Sequence, residues 1–422
     1  LTGAALARRR PRDPTGRATS ARMRTLTVLI NTSRMTKGLV LIRAFHAAGH
    51  RVVVADTERY RWGGHRFSRA VSQFYLLPDP ALSQARYSDA LVAIAVRERV
   101  DLFVPVTSPV GAQIDAEVKA RLSRHCRVLH FDPQLNATLD DKYAFAESAR
   151  RAGLTVPETH LCSDPDQILR FVGTPGKSYI IKPSLYDPIG RQAKYRLPLA
   201  DPAAAAADIR ALAISAERPW VIQEFVRGRE YCAHATVRGG RITVFVCTES
   251  SPYQLNYAHV DHPAIYRWLE GLVAALDITD GQLCCDFIEA ADGRVYAIEC
   301  NPRTHSAITA FYDNLGELAA AYLGERPAEA GPLTPRPDTR PTYWLAMELE
   351  RLGKVRSLGQ LRAWLGHLMR GKDAVFSWED PLPFFALHHA QIPSLLVRNL
   401  RRSGRWTHID WCIGKVVEPG GD

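Results

Sequence analysis

The sequence predicts an α/β protein, α+β overall: a parallel sheet covered by helices, followed by a region of strands and hairpins. Two observations carry this. From Thr25 to Phe131, β-branched apolar runs alternate with helix-like runs, the pattern of a parallel sheet with helices on its faces. From residue 140 to 313 the order changes to helix, strands, hairpin, helix, hairpin. A third observation concerns chemistry. In Glu299-Cys300-Asn301-Pro302-Arg303, side chains at alternate positions of an extended strand share a face, so Glu299, Asn301 and Arg303 project together while Cys300 turns away.

Thr25–Asn31 reads as the first strand, Lys37–Ala48 as a helix stopped by Gly49, and Arg51–Ala55 as a second strand ending at Asp56. A helix near Asp89–Arg99, a strand Leu102–Val106, and a further helix and strand complete the first domain, 24–131. The first turn, Asn31 to Gly38, lacks the Gly-rich dinucleotide fingerprint, which disfavours NAD. Gly173-Thr174-Pro175-Gly176-Lys177-Ser178 imitates a phosphate-binding loop. Phe171 stands where its first Gly belongs, and a strand, Tyr179–Lys182, follows where a helix is needed, so we reject it. Trp220–Phe225 and Glu230–Val237 are strands, and Arg238-Gly239-Gly240-Arg241 turns into Ile242–Glu249. The second region spans 132–326, a Pro-rich linker 327–341, and an aromatic-rich C-terminal segment 342–422.

The 422 residues carry a net charge of +10, of which +6 falls in residues 1–24, with seven Arg against Asp13. Residues 1–23 read as a disordered basic tail, and Met23 beside the first strand makes 1–22 an expected over-extension of the start. The remaining charge implies no nucleic-acid partner. Eight scattered cysteines without a Cys-x-x-Cys pair argue against a disulfide scaffold or zinc and fit a reducing cytoplasm. No apolar run spans a bilayer. Leu358–Met369 and Ile392–Arg402 are apolar-basic. Such helices can lie on anionic membranes, or form a lid or homodimer surface, but core packing with solvated Arg is favoured.

Two carboxylates, Asp286 and Glu299, with the Asn301 amide are hard-oxygen ligands suited to magnesium, and Arg303 suits an adjacent phosphate. A hairpin with a charged edge, turned at Ala291-Asp292-Gly293, accounts for the same residues equally well. Upstream, Lys142 follows Asp140-Asp141 at a helix start and Lys182 closes an apolar strand, where a lysine ordinarily snorkels to solvent. Thr107-Ser108-Pro109 follows the buried strand Leu102–Val106, at the strand end where α/β sheets bind ligands, although an ordinary Ser-Pro turn competes.

The order of these two lysines, the segment Gln223-Glu224-Phe225-Val226-Arg227-Gly228-Arg229-Glu230 and the acid pair resembles the ATP-grasp superfamily of ligases, over roughly 25–313. The resemblance implies a Rossmann-like pre-ATP-grasp domain before an ATP-grasp fold, with ATP and Mg2+ as cofactors. By resemblance, Lys142 and Lys182 would hold the phosphates, Glu224 with the Phe225 and Val226 backbone would read the adenine edge, and Glu230 would take the ribose. Asp286, Glu299 and Asn301 would hold the metal, and Arg303, with Lys182, would steady the transferring phosphate. One departure stands out: the loop Ser184–Arg191, Gly-rich in that superfamily, has a single Gly, so Arg191 and the Ser184 hydroxyl would replace backbone amides, or the lid works differently.

Several stretches are similar to the mycosporine-glycine synthase family, ligases of sunscreen-metabolite biosynthesis. They are Arg34-Met35-Thr36-Lys37-Gly38, Gly64-His65-Arg66-Phe67-Ser68, Pro105–Gly111, Glu299–Asp313 and the end from His408 to Asp422. That likeness implies that the substrates are 4-deoxygadusol and glycine. The enol of a cyclic 1,3-diketone is a vinylogous carboxylic acid, so its oxygen can be phosphorylated and then displaced by the glycine amine, giving an enaminone. Thr304, His305 and Ser306 could grip the glycine carboxylate or the enolate, with Thr107 and Ser108 as further candidates; a structural hydrogen bond is the competing role for His305. A conventional carboxylate acceptor, giving a dipeptide-type product, is the alternative.

Overall fold

The computed structural model describes residues 24–31, 36–106, 109–187, 195–250, 257–404, 409–410 and 415–416. The basic tail, Arg34 and Met35, Thr107 and Ser108, Arg191, and most of the end from His408 to Asp422 lie outside the described residues.

The first domain is built as its alternation demands. Strands β1 (Thr27–Asn31), β2 (Arg51–Thr57), β3 (Gln73–Leu77), β4 (Leu102–Pro105) and β5 (Arg127–Val128) form a parallel sheet in the order β3-β2-β1-β4-β5. Helix α1 (Thr36–Ala47) covers one face, and α2 (Gln84–Arg97) and α3 (Pro109–Leu122) the other. Successive residues of β1 serve opposite cores: Val28 and Ile30 pack toward α1, Leu29 toward α2 and α3. The order reverses direction between β1 and β4, which opens a crevice at their carboxyl ends.

Helices α4 (Pro133–Asp140) and α5 (Lys142–Arg151) lead into a smaller antiparallel sheet. Its strands β6 (Thr159–Cys162), β7 (Tyr179–Pro183), β8 (Arg196–Leu197) and β9 (Trp220–Glu224) lie in the order β6-β9-β7-β8, backed by α6 (Pro165–Leu169) and α7 (Pro202–Ala211). The larger antiparallel sheet runs β11 (Arg241–Glu249), β10 (Gly228–Arg238), β12 (Gly281–Ala290), β13 (Val295–Asn301). Gly228 opens β10 because a Cβ there would collide with the Glu289 carbonyl of the neighbouring strand. Tyr231, Ala233, Leu283, Cys285 and Phe287 turn one face toward α5 and α8 (Pro263–Ala275), while Cys232, His234, Gln282 and Asp286 occupy the other.

Helix α9 (Leu315–Leu323) packs on α1, and the C-terminal segment adds β14 (Thr342–Tyr343), α10 (Leu345–Leu352), α11 (Leu358–Arg370), β15 (Lys372–Asp373), α12 (Leu382–Ala386) and α13 (Ile392–Ser403). The Pro-rich stretch 327–341 is fastened to the larger sheet: Leu333 donates to the Thr243 carbonyl at 2.8 Å and accepts from the Phe245 amide at 2.9 Å. One core unites β1, α1, β11, α9, Trp344, Val375 and Ile392. The Arg43 guanidinium, reaching from α1, meets Asp380 at 2.9 Å and donates to the Val375 carbonyl at 2.9 Å.

The favoured core packing of both apolar-basic stretches needs one correction. Helix α13 buries Ile392 and Leu395 and leaves Arg398, Arg401 and Arg402 exposed, as that reading requires. Helix α11 buries no residue; Leu358 and Met369 are 75% and 78% exposed, because α11 leans on α10 from the outside. No helix among the described residues is long and apolar enough to cross a membrane.

Candidate active site

The alternation that projects Glu299, Asn301 and Arg303 depends on an irregularity that the sequence does not mark. In β13, Val295 and Ala297 face the core, so an uninterrupted strand would send Glu299 inward as well. The ladder between β12 and β13 instead pairs Phe287 with Ala297 and Asp286 with Glu299, leaving Ile298 as a bulge. The phase resets. Cys300 now enters the core at 3% exposure, and Glu299 and Asn301 turn to the other face.

The bulge also frees the Ile298 carbonyl, which accepts from Lys182 Nζ at 3.4 Å and from Gln223 Nε2 at 3.3 Å. Lys182 and Gln223 stand on β7 and β9, so this one oxygen ties the smaller sheet to the larger. Beside it, Glu299 Oε2 lies 3.7 Å from Lys142 Nζ and 3.8 Å from Lys182 Nζ. Two lysines distant in sequence and one carboxylate thus converge between the two sheets. Burial pulls the Lys182 ammonium down to about 8, against the opposing pull of Glu299.

Asp286 sits directly opposite Glu299 across the ladder. Burial first, then the neighbouring Glu299, pushes its carboxyl up, and Arg303 pulls the other way. Two acids aimed into one space repel unless a cation lies between them, and carboxylates with an amide oxygen suit a hard divalent ion. Asp286, Glu299 and Asn301 therefore fit magnesium in position and in donor type. Arg303 Nη2 donates to Asn301 Oδ1 at 3.1 Å, which holds the guanidinium at the rim of that space. Asp140, ahead of Lys142, is raised to about 6, chiefly by burial, while Lys142 and Arg303 lower it. The acid was visible in the sequence; its approach to this cluster was not.

At the far end of the cleft, Glu224 closes β9 and takes Lys177 Nζ at 2.9 Å and the Glu158 amide at 3.2 Å. Lys177 comes from the rejected loop, which is irregular and leads straight into β7. Its real role is to hold Glu224, a role the false motif concealed. The Phe225 amide is bonded to the Ser178 carbonyl at 2.8 Å. The Arg196 guanidinium lies 4.1 Å over the Phe225 ring. Glu230 is exposed on β10, on the strand face shared by Cys232. The Ser184 hydroxyl donates to Asp141 Oδ2 at 2.8 Å and so braces the carboxylate that caps the start of α5 through the Ala144 amide.

The residues after Arg303 are drawn inward. Lys37 Nζ donates to the Thr304 carbonyl at 2.5 Å, and the Thr304 hydroxyl is bonded to Gln282 Oε1. His305 Nδ1 accepts from the Ala307 amide at 3.2 Å and caps the 3-10 turn 306–311; its ring meets Tyr257 edge-on. The Ser306 carbonyl accepts from the Thr309 hydroxyl. The three candidate acceptor-binding residues are buried and spend these groups inside the protein. Gln282 in turn donates to the Pro105 carbonyl at 3.0 Å, so this turn docks the larger sheet onto the crevice at the ends of β1 and β4.

Cys232, Cys284 and His305 bring three donor atoms within 4.8 Å of one another, the composition of a soft-metal site. The cap bond places the ring proton on Nε2, which faces Cys232 Sγ at 3.4 Å. A nitrogen that carries a proton donates and does not ligate, so this cluster is a hydrogen-bonded packing element.

Two antiparallel sheets that meet at two lysines and an acid pair, all following a parallel sheet, form the ATP-grasp fold. Three solved structures share it. The L-amino acid ligase from Bacillus licheniformis matches with a TM-score of 0.55 at 16% identity, over 75% of this chain and 79% of that one. N5-carboxyaminoimidazole synthetase from Staphylococcus aureus, complexed with ADP, matches with a TM-score of 0.56 at 16% identity over 75% and 80%. Biotin carboxylase from Campylobacter jejuni, in its complex with β-γ-ATP, matches with a TM-score of 0.55 at 14% identity over 73% of each chain. No protein-family model matches the sequence, and no curated protein does.

Proposed function

We propose that the protein is an ATP- and magnesium-dependent ligase that forms a C–N bond between an amine and an activated oxygen acid. The observation that carries this reading is the convergence of Lys142, Lys182 and Glu299 from three separate elements beside Asp286. ATP, with a magnesium ion held by Asp286, Glu299 and Asn301, would supply the phosphoryl group that turns an acidic oxygen into a leaving group. Lys142 and Lys182 neutralise polyphosphate charge, and Arg303 lies where charge on the transferring group would develop. Glu224 with the Phe225 and Val226 backbone takes the base, and Glu230 the ribose. None of these residues needs to bond covalently to a substrate; the protein positions and neutralises.

Likeness to an L-amino acid ligase supports an ordinary carboxylate acceptor joined to an amino acid. The motifs shared with the mycosporine-glycine synthase family support a narrower reading, in which the acceptor is the 4-deoxygadusol enol and the amine is glycine. Both acceptors present a delocalised anionic oxygen, so one phosphate-transfer geometry serves either. The test is to incubate the protein with ATP, magnesium and glycine, adding 4-deoxygadusol in one arm and amino acids or other carboxylic acids in the other. ADP release that requires both an acid and an amine is the expected result. Enaminone formation selects the narrower reading, and amide formation selects the carboxylate. ADP release that ignores every acceptor would end the ligase reading.

A further inference from the structure

We propose that the groove between the carboxyl ends of β2 and β3 and helix α13 is a second binding site, for a small molecule bearing phosphate or carboxylate groups. The groove has a volume of about 700 Å³, a size that holds small organic ligands, and none of the candidate nucleotide and metal residues lines it. It lies at the carboxyl end of a parallel sheet, the edge at which α/β folds present loops to ligands.

Its charge is one-sided. Arg59, Arg61, Arg86, Arg398 and Arg402 line it against two acids, Glu58 and Asp79. Asp79 Oδ1 is already taken by the Ala81 amide of its own turn at 3.0 Å. Among the described residues, Arg61, Arg86 and Arg398 have no carboxylate at ion-pair distance. Guanidinium groups present two parallel N–H donors and match phosphate or carboxylate oxygens bidentately. The 14-residue helix α2 also starts at this groove, at the lining residue Ser83, so the positive end of its dipole adds to the arginines.

The arginines are placed by built structure. On α13, Leu395, Arg398, Asn399 and Arg402 follow helical spacing and share the face turned to the groove. Leu395 is buried against Tyr60, which fixes the helix rotation. Arg398 Nη1 donates to the Arg59 carbonyl at 3.1 Å, and Arg402 Nη2 to Asn399 Oδ1 at 3.3 Å. The Arg398 bond orients its guanidinium without cancelling its charge, and the Arg402 bond fixes the direction of its side chain. A bound anion would therefore join the loops after β2 and β3 to α13, with Leu77 and Leu395 supplying an apolar wall beside the charged one.

The test is calorimetric titration of the full chain with inorganic phosphate and, separately, citrate, at fixed ionic strength held with chloride. Three proteins are compared: the natural sequence, the double variant Arg398→Gln/Arg402→Gln, and Lys182→Ala as a control for the nucleotide cleft. Saturable binding in the natural sequence and in Lys182→Ala, weakened about tenfold or more in the double variant, is expected. The better probe of the two tells a phosphate ligand from a carboxylate one. Equal binding in the double variant, loss in Lys182→Ala alone, or no saturable binding of either probe would overturn the proposal. Should the double variant melt early, Arg61→Gln at the rim is expected to weaken binding in the same direction, and an unchanged affinity there would count against the site. The outcome does not depend on whether the cleft ligates anything.

Discussion

Glu299 is the residue on which the two lysines and the acid pair all depend. Replacing it with Gln keeps the shape, removes the charge that faces Lys142 and Lys182, and takes one carboxylate from the proposed metal. Glu299→Gln is expected to lower ATP turnover by at least about a hundredfold while the far-UV spectrum and melting temperature stay near those of the parent. Near-normal turnover would remove the metal from this position. Lys182 and Glu224 stood out in the sequence only through the order of motifs they share with the ATP-grasp superfamily, since a lysine that ends an apolar strand ordinarily snorkels to solvent. Lys177 and Gln223 did not, because nothing local distinguishes a lysine that holds Glu224 from one in solvent. His305 had two readings in the sequence, a grip on the substrate or a structural hydrogen bond, and its cap bond and Cys232 contact favour the second.

The bulge is the matching case among elements. Tyr296-Ala297-Ile298 contains no Gly, Pro or Asn to mark a break, so a two-residue period written across β13 predicts the wrong face for one half of it. The correct grouping of Glu299, Asn301 and Arg303 was available only because all three lie past the break. Deleting Ile298 is expected to close the ladder, withdraw the carbonyl that holds Lys182 and Gln223, and raise the KM for ATP about tenfold or more with a smaller change in kcat. Steady-state kinetics at varied ATP read this directly; an unchanged KM would mean that the two sheets are aligned by something else. The parallel sheet needed no such correction. Its central strands β1, β2 and β4 are short and apolar, and burial on both faces leaves that composition little alternative; the edge strand β3, Gln73-Phe74-Tyr75-Leu76-Leu77 and largely unburied, carries no such signal and was not legible.

Across the whole molecule, the parallel sheet, the larger antiparallel sheet and the C-terminal segment share a core, and the smaller sheet joins them through polar bonds, so local changes should be felt globally. Arg43→Ala leaves Asp380 with the Ser68 hydroxyl and the Arg69 amide but without its cation. A loss of roughly 3 kcal/mol in unfolding free energy is expected, measured by urea denaturation. A change under about 0.5 kcal/mol would mean the pair is as weak as a surface one. His130 adds a pH dependence. It is buried, its Nε2 donates to the Ala112 carbonyl at 2.7 Å, and burial lowers it from 6.5 to about 4. Between those values the unfolded chain binds a proton that the folded chain refuses. This contribution is therefore complete above pH 6.5 and falls as pH drops toward 4, by up to roughly 3 kcal/mol. In His130→Asn the urea midpoint should be lower at pH 7 but vary less between pH 7 and 5; an unchanged slope would assign the acid sensitivity elsewhere. The connection 327–341 looked like a spacer because prolines and polar residues also make good surface straps; its bonds to β11 depend on partners some ninety residues earlier.

A main-chain oxygen has a property that no side-chain ligand shares. Because the Ile298 carbonyl receives Lys182, no single substitution at position 298 can delete the acceptor, although an insertion or deletion can. The contact that closes one sheet on the other is thus shielded from the commonest kind of mutation and exposed to a rarer one. Position 298 is free to drift in side chain while its count in the strand is held fixed, and the length of β13, more than its composition, is what inheritance must preserve.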